Sequence, residues 1–106
     1  MYAAPEQLKN RKAQIDTRSD QFALGIVFLQ LLLGGVHPFD PTIAGGDSIV
    51  QNILVGRWAR DRIGMLGLSP AWTALAARLL AAEPFGRFRN SSTLMEALTA
   101  LRARTR

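Results

Sequence analysis

The side chains that could do chemistry are few. The chain has no Cys, and His37 is its only histidine. Without thiols there is neither a disulfide framework nor a thiolate metal site. A zinc site or a His-based proton relay would need partners that this chain lacks, so no metal ligands are expected. Eleven of the thirteen cationic side chains are Arg, and the formal charge is +5. They are scattered, with one small cluster at Arg102, Arg104 and Arg106. Scatter without interleaved aromatics fits a solvated surface, and no nucleic-acid partner is expected. Two acids occupy positions where negative charge is favoured. Glu6 follows Pro5 in what reads as a helical turn, and Asp20 lies in the first turn of the most apolar helix.

The element that must position these groups is the stretch from Ser19 to Leu33. From Phe22 to Leu33 only Gly25 and Gln30 interrupt a run of apolar side chains, and a helix that is apolar all round is a buried helix. The run is shorter than the roughly 20 residues that cross a hydrocarbon core, so no membrane partner is expected. It is also too long, and too free of alternation, for a strand of about 4 to 8 residues. Thr17 and Ser19 are candidate N-caps, and Gly34-Gly35 stops the helix.

Around it, Lys9 to Arg18 reads as loop. The prolines of Val36-His37-Pro38-Phe39-Asp40-Pro41 oppose regular structure, and Ala44-Gly45-Gly46 is flexible. Asp47 is expected to cap a short helix with Ile49, Val50, Ile53 and Leu54 on one face, closed by Gly56. Arg57 to Leu68 reads as a connector from which Trp58, Ile63, Met65 and Leu66 could tuck into a core. Ser69-Pro70 starts a helix whose Trp72, Leu75, Ala76, Leu79 and Leu80 form one stripe, ended by Glu83-Pro84. A last helix begins near Ser92 or Thr93, with Thr93 and Glu96 spaced as a capping box and Leu94, Leu98 and Leu101 on one face. The expected fold is all-α: a turn after Pro5, a central helix near 19–33, and three to four further helices, among them 47–55, 70–82 and 92–104. At 106 residues the chain is one domain or part of one, able to remove about two thirds of its unfolded surface from water. Met1 to Glu6 has neither a basic nor an apolar signal region, so a cytoplasmic location is expected.

Four pieces occur in a telling order: Tyr2-Ala3-Ala4-Pro5-Glu6, Ser19-Asp20-Gln21-Phe22-Ala23-Leu24-Gly25, Gly35-Val36-His37-Pro38-Phe39, and Glu83-Pro84-Phe85-Gly86-Arg87. Together they resemble a protein kinase C-lobe from the Ala-Pro-Glu motif to the domain's end, most closely that of bacterial Ser/Thr-type kinases. The resemblance covers nearly the whole chain, 1–106. It implies that the helices are the family's F, G, H and I helices, and that Glu6 of Ala4-Pro5-Glu6 forms a buried ion pair with Arg87. It further implies that Asp20 anchors the catalytic loop, that Gly25 belongs to the F-helix motif, that Tyr2 and Ala3 border the substrate backbone, and that Ile49 to Val55 offers a docking surface.

The departures are instructive. Phe22 stands where many kinases have Trp, Ala23 where Ser is common, Glu83 where Asp is usual, and Phe88 where Pro is frequent. Phosphoryl transfer in this family needs a Gly-rich phosphate loop, a strand Lys paired with a helix Glu, a catalytic-loop Asp and Asn, and an Asp-Phe-Gly. None occurs in the chain, and Pro84-Phe85-Gly86 lacks the aspartate. The resemblance therefore implies part of a kinase whose complete form uses ATP and Mg on a protein substrate. This piece would have no catalytic residues or cofactor of its own, and the remainder of the kinase domain would be its partner. Met1 then resembles an internal start or a fragment boundary. The alternative is a non-catalytic helical interaction domain, a kinase remnant.

Overall fold

The computed structural model describes residues 2–11 and 17–104, and every regular element among them is helical. The elements are α1 (Pro5–Leu8), α2 (Thr17–Leu32), α3 (Pro41–Ala44), α4 (Ile49–Val55), α5 (Arg60–Gly64), α6 (Pro70–Leu79), a 3₁₀ turn (Pro84–Gly86) and α7 (Ser91–Arg104).

Helix α2 is the centre of the larger core. Phe22, Ile26 and Leu29, at i, i+4 and i+7, are fully buried and pack with Phe39, Ile53 and Ile63. The helix ends as its glycines dictate: Gly34 and Gly35 have φ +70° and +95°, and the Gly35 N–H returns to the Gln30 carbonyl at 2.8 Å. Helix α6 stands between two clusters. Ala76 and the following Leu80 join the α2 core, while Leu75 and Leu79 pack with Phe88, Leu94 and Leu101 against α7. Helices α2 and α6 come close at Gly25, where an added Cβ would lie 3.0 Å from Leu79 Cβ and 3.1 Å from Leu80 Cδ2. Glycine there lets the two helices approach at Leu79 and Leu80.

The described chain is a slab of 40 × 32 × 18 Å. Its thickness holds two helix layers spaced about 8 to 10 Å apart and no third. Burying every side of a central helix takes neighbours on every side, and the slab leaves one side of α2 open.

Local details differ from the sequence expectation for physical reasons. Helix α2 begins at Thr17, so Ser19 lies inside it and is no cap; its hydroxyl is drawn to a buried carboxylate instead. Helix α3 forms despite the prolines because Pro41 takes the first helical position and Asp40 caps it, accepting from the Thr42 N–H at 2.9 Å. The cap of α4 is Ser48, accepting from the Gln51 N–H at 3.1 Å, and not Asp47. The cap of α7 is Asn90, accepting from the Thr93 N–H at 2.9 Å, in place of a box built on Thr93. The connector contains α5. Its Ile63 and the preceding Trp58 are buried as their apolar character suggests, but Met65 and Leu66 are exposed. Helix α6 stops at Leu79, short of residue 82. Within the Arg102, Arg104 and Arg106 cluster, Arg106 lies outside the described residues.

Candidate functional site

The buried polar centre joins the first turn of the chain to its last third. In α1, Pro5 sets the first helical position, and Gln7 Oε1 accepts the Ala4 N–H at 2.7 Å, which leaves Ala4, Pro5 and Glu6 packed inward. Glu6 meets Arg87 in a two-pronged pair, Nη1 to Oε2 at 2.7 Å and Nη2 to Oε1 at 2.9 Å. The two residues are 1% and 2% exposed. Arg87 also donates through Nη1 to the Arg18 carbonyl at 3.0 Å and through Nε to the Ala81 carbonyl at 2.9 Å. Its guanidinium lies 4.9 Å over the Phe22 ring.

A buried ion pair is tolerable only when its remaining donors and acceptors are satisfied. The bonds of Arg87 meet that condition, and Ser19 Oγ adds a bond to Glu6 Oε2 at 2.6 Å. Burial alone pushes the Glu6 carboxyl up, but the hydrogen bonds from Arg87 and Ser19 and the charge of Arg87 outweigh it. The net result holds the group below its ordinary value of 4.5. Beside the pair, Gln21 clasps Phe88 with both ends of its amide: Nε2 donates to the Phe88 carbonyl at 2.9 Å and Oε1 accepts the Phe88 N–H at 3.0 Å. Three residues at the start of α2, Ser19, Gln21 and Phe22, thus hold the segment around Arg87.

Sequence reasoning did not assign Ser19 or Gln21 to this cluster. A signal for Ser19 was present, since it falls three residues before Phe22 on the buried stripe, where a polar group must find a partner. Asn52 was also missed. It is buried in α4, and its Nδ2 donates to the Phe39 and Gly45 carbonyls at 2.8 and 2.7 Å, fixing the loop before α4. Gly46, at φ +76°, is needed there because a Cβ would run into Asn52 Oδ1.

Asp20 is exposed, and among the described residues its carboxylate has no partner. It heads a second stripe on α2: Asp20, Leu24, Val27 and Leu31 follow at i, i+4, i+7 and i+11 on one face. Leu24, Val27 and Leu31 are exposed, Leu31 by 75%. Tyr2 is exposed next to the intermediate Ala3, and its hydroxyl donates to Gln30 Oε1 at 3.0 Å. His37 is a packing group: its Nδ1 accepts the Phe39 N–H at 3.1 Å, and its ring lies 6.2 Å from that of Tyr2. Ile49 to Val55 forms α4, with Val50 and Val55 exposed.

Among the described residues no three metal-capable side chains gather, and no helix is long and apolar enough to cross a membrane.

No family model matches the chain. Over 62 residues, 58% of the chain, it is 37% identical to the leucine-rich repeat receptor-like serine/threonine-protein kinase RGI4 of Arabidopsis thaliana. It is 36% identical over 62 residues to the LRR receptor-like serine/threonine-protein kinase RGI3 of the same plant. The chain spans about 5% of the length of each of these relatives. Over those 62 residues the chain is similar to plant receptor-like serine/threonine-protein kinases.

Proposed function

We propose that the chain is the C-terminal part of a protein kinase C-lobe, of the bacterial Ser/Thr type, whose complete form transfers the ATP γ-phosphate to a protein substrate. The observation that carries the reading is the buried pair between Glu6, in Ala4-Pro5-Glu6, and Arg87, 81 residues later. In this reading the pair locks the substrate-side end of the lobe to its base. Tyr2 and Ala3 border the bound substrate, and α4 contributes a docking surface. Asp20 accepts backbone hydrogen bonds from the catalytic loop, and Leu24, Val27 and Leu31 pack beneath the remainder of the domain. The exposure of an otherwise greasy helix along that face supports this role.

ATP and magnesium belong to the complete kinase. No residue of this chain is assigned to them, because the phosphate loop, the strand Lys, the catalytic-loop Asp and Asn and the metal-binding Asp are not in its sequence. What these residues do is position and brace. The cytoplasm is the compartment proposed for such a kinase.

Phosphotransfer is tested with the pure chain, ATP, magnesium and a general protein substrate. No transfer is expected, and transfer abolished by substitutions within the chain overturns the reading. Sequencing the genomic DNA upstream of the Met1 codon separates the alternatives. An in-frame catalytic loop and phosphate loop are expected; their absence favours a kinase remnant that acts as a helical interaction domain.

A further inference from the structure

Two shallow grooves flank α6, one against α7 and one against α5. The α6–α7 groove, about 360 Å³, is walled by Ala71, Ala74, Ala97 and Ala100 over Leu75 and Leu101. The α5–α6 groove, about 420 Å³, is lined by Leu68, Pro70 and Ala77, and again by Ala74. Because Ala74 belongs to both, they form one corrugated apolar surface with α6 as its ridge.

Each groove has a single charged lining residue, and both are arginines: Arg78 in the first and Arg60 in the second. No acid lines either. The Arg78 guanidinium lies 4.0 Å over the Phe88 ring, and that of Arg60 lies 5.0 Å over the Trp58 ring. Among the described residues neither guanidinium meets a carboxylate. A guanidinium stacked on an aromatic face is already oriented while its in-plane donors stay open to a carboxylate arriving edge-on. Alanine walls let a second backbone come close, and ridges spaced by three and four residues accept another helix.

We propose that this surface docks an amphipathic helix of acidic character, with its apolar face in the grooves and its carboxylates on Arg60 and Arg78. The proposal does not depend on the kinase reading.

The test uses the full chain and two synthetic helical peptides of about 18 residues, about five turns. One places Leu on one face and Glu on the flanks; the other has Lys in place of Glu. Titration followed by Trp fluorescence is expected to show saturable binding of the Glu peptide, weakening between about 0.05 and 0.3 M salt, and at least about tenfold weaker binding of the Lys peptide. Arg78→Glu, at an exposed position, should weaken the Glu peptide by a similar factor. Ala100→Trp, which fills the α6–α7 groove, should do so without changing charge. Circular dichroism checks that each variant is folded, and the comparison of the two peptides on the unsubstituted chain stands without any variant. Equal binding of both peptides, or no binding of the Glu peptide at low salt, overturns the proposal. So does a concentration-dependent dimer in sedimentation that Ala100→Trp abolishes, since the occupant would then be a second copy.

Discussion

Phe22, Ile26 and Leu29 on one side of α2, and Leu24, Val27 and Leu31 on the other, are equally apolar, yet the first three are fully buried and the second three are exposed. The two stripes run the same length of one helix and differ only in what faces them. The first meets α4, α5 and α6, with the Glu6–Arg87 pair at its N-terminal end. The second is open at Val27 and Leu31, and at Leu24 it borders an apolar cavity shared with Trp72 and Leu75 of α6 and Leu94 of α7. Apolar character alone therefore does not say which face is covered; the distribution of neighbours decides it.

The largest effect that would break the contrast is expected at the head of the buried stripe. Arg87→Ala leaves the Glu6 carboxylate buried without its counter-ion and should lower unfolding stability by about 3 to 5 kcal/mol in urea denaturation. Arg87→Lys should recover only part of that loss, since a point charge cannot reproduce the two-pronged bond, the Ala81 bond and the stacking on Phe22.

Leu29→Ala should lower stability by about 2 to 5 kcal/mol, the range for truncating a buried Leu. Gln21→Leu should lower it by about 1 to 3 kcal/mol, because the Phe88 N–H and carbonyl lose their partners in a buried place. Thermal or urea unfolding measures both.

Acid probes the same region. The Glu6 carboxyl is held below its ordinary value of 4.5 in the folded state. The unfolded chain therefore takes up the proton first as pH falls. The stabilisation from this group is fully present above about pH 5 and is lost as pH drops through 4.5 toward the lower folded value. Unfolding curves taken along that range should show stability falling with acid, and Glu6→Gln should flatten the part due to this residue.

The smallest effect belongs to the other stripe. Leu31→Gln in this chain should change stability by no more than about 0.5 kcal/mol, as an exposed position does. A cost comparable to that of Leu29→Ala would erase the contrast between the two faces.

How much of this was legible in the sequence depended on range. The existence of α2, α4, α6 and α7 followed from apolar spacing and from Gly and Pro punctuation, because those signals are local. The stripe of α6 was legible too, but not its division between two clusters, since which of Leu75 and Ala76 faces α2 is decided by the helix it meets. Helices α3 and α5, four and five residues long, carry too little periodicity to stand out. Caps were misplaced by one to three residues where neighbouring side chains compete. Ser48 displaced Asp47, Asn90 displaced Thr93, and Ser19 fell inside the helix because α2 already begins at Thr17.

The bond between Glu6 and Arg87 spans 81 residues, and no local rule reaches that far. It was anticipated only through the resemblance to kinases. The Gln21–Phe88 clasp and the Asn52 clamp were not anticipated at all, because a side-chain amide bonded to distant backbone leaves no spacing in sequence. The exposure of the Asp20–Leu31 face follows no compositional rule, since apolar character all round would have buried it.

The claim that α2 has one covered and one bare apolar face is tested most directly by hydroxyl-radical footprinting of the dilute, monomeric chain, read residue by residue by mass spectrometry. Labelling of Leu24, Val27 and Leu31 with protection of Phe22, Ile26 and Leu29 is the predicted result. Equal protection of both sets would contradict the account, since the helix would then be enclosed by these residues alone.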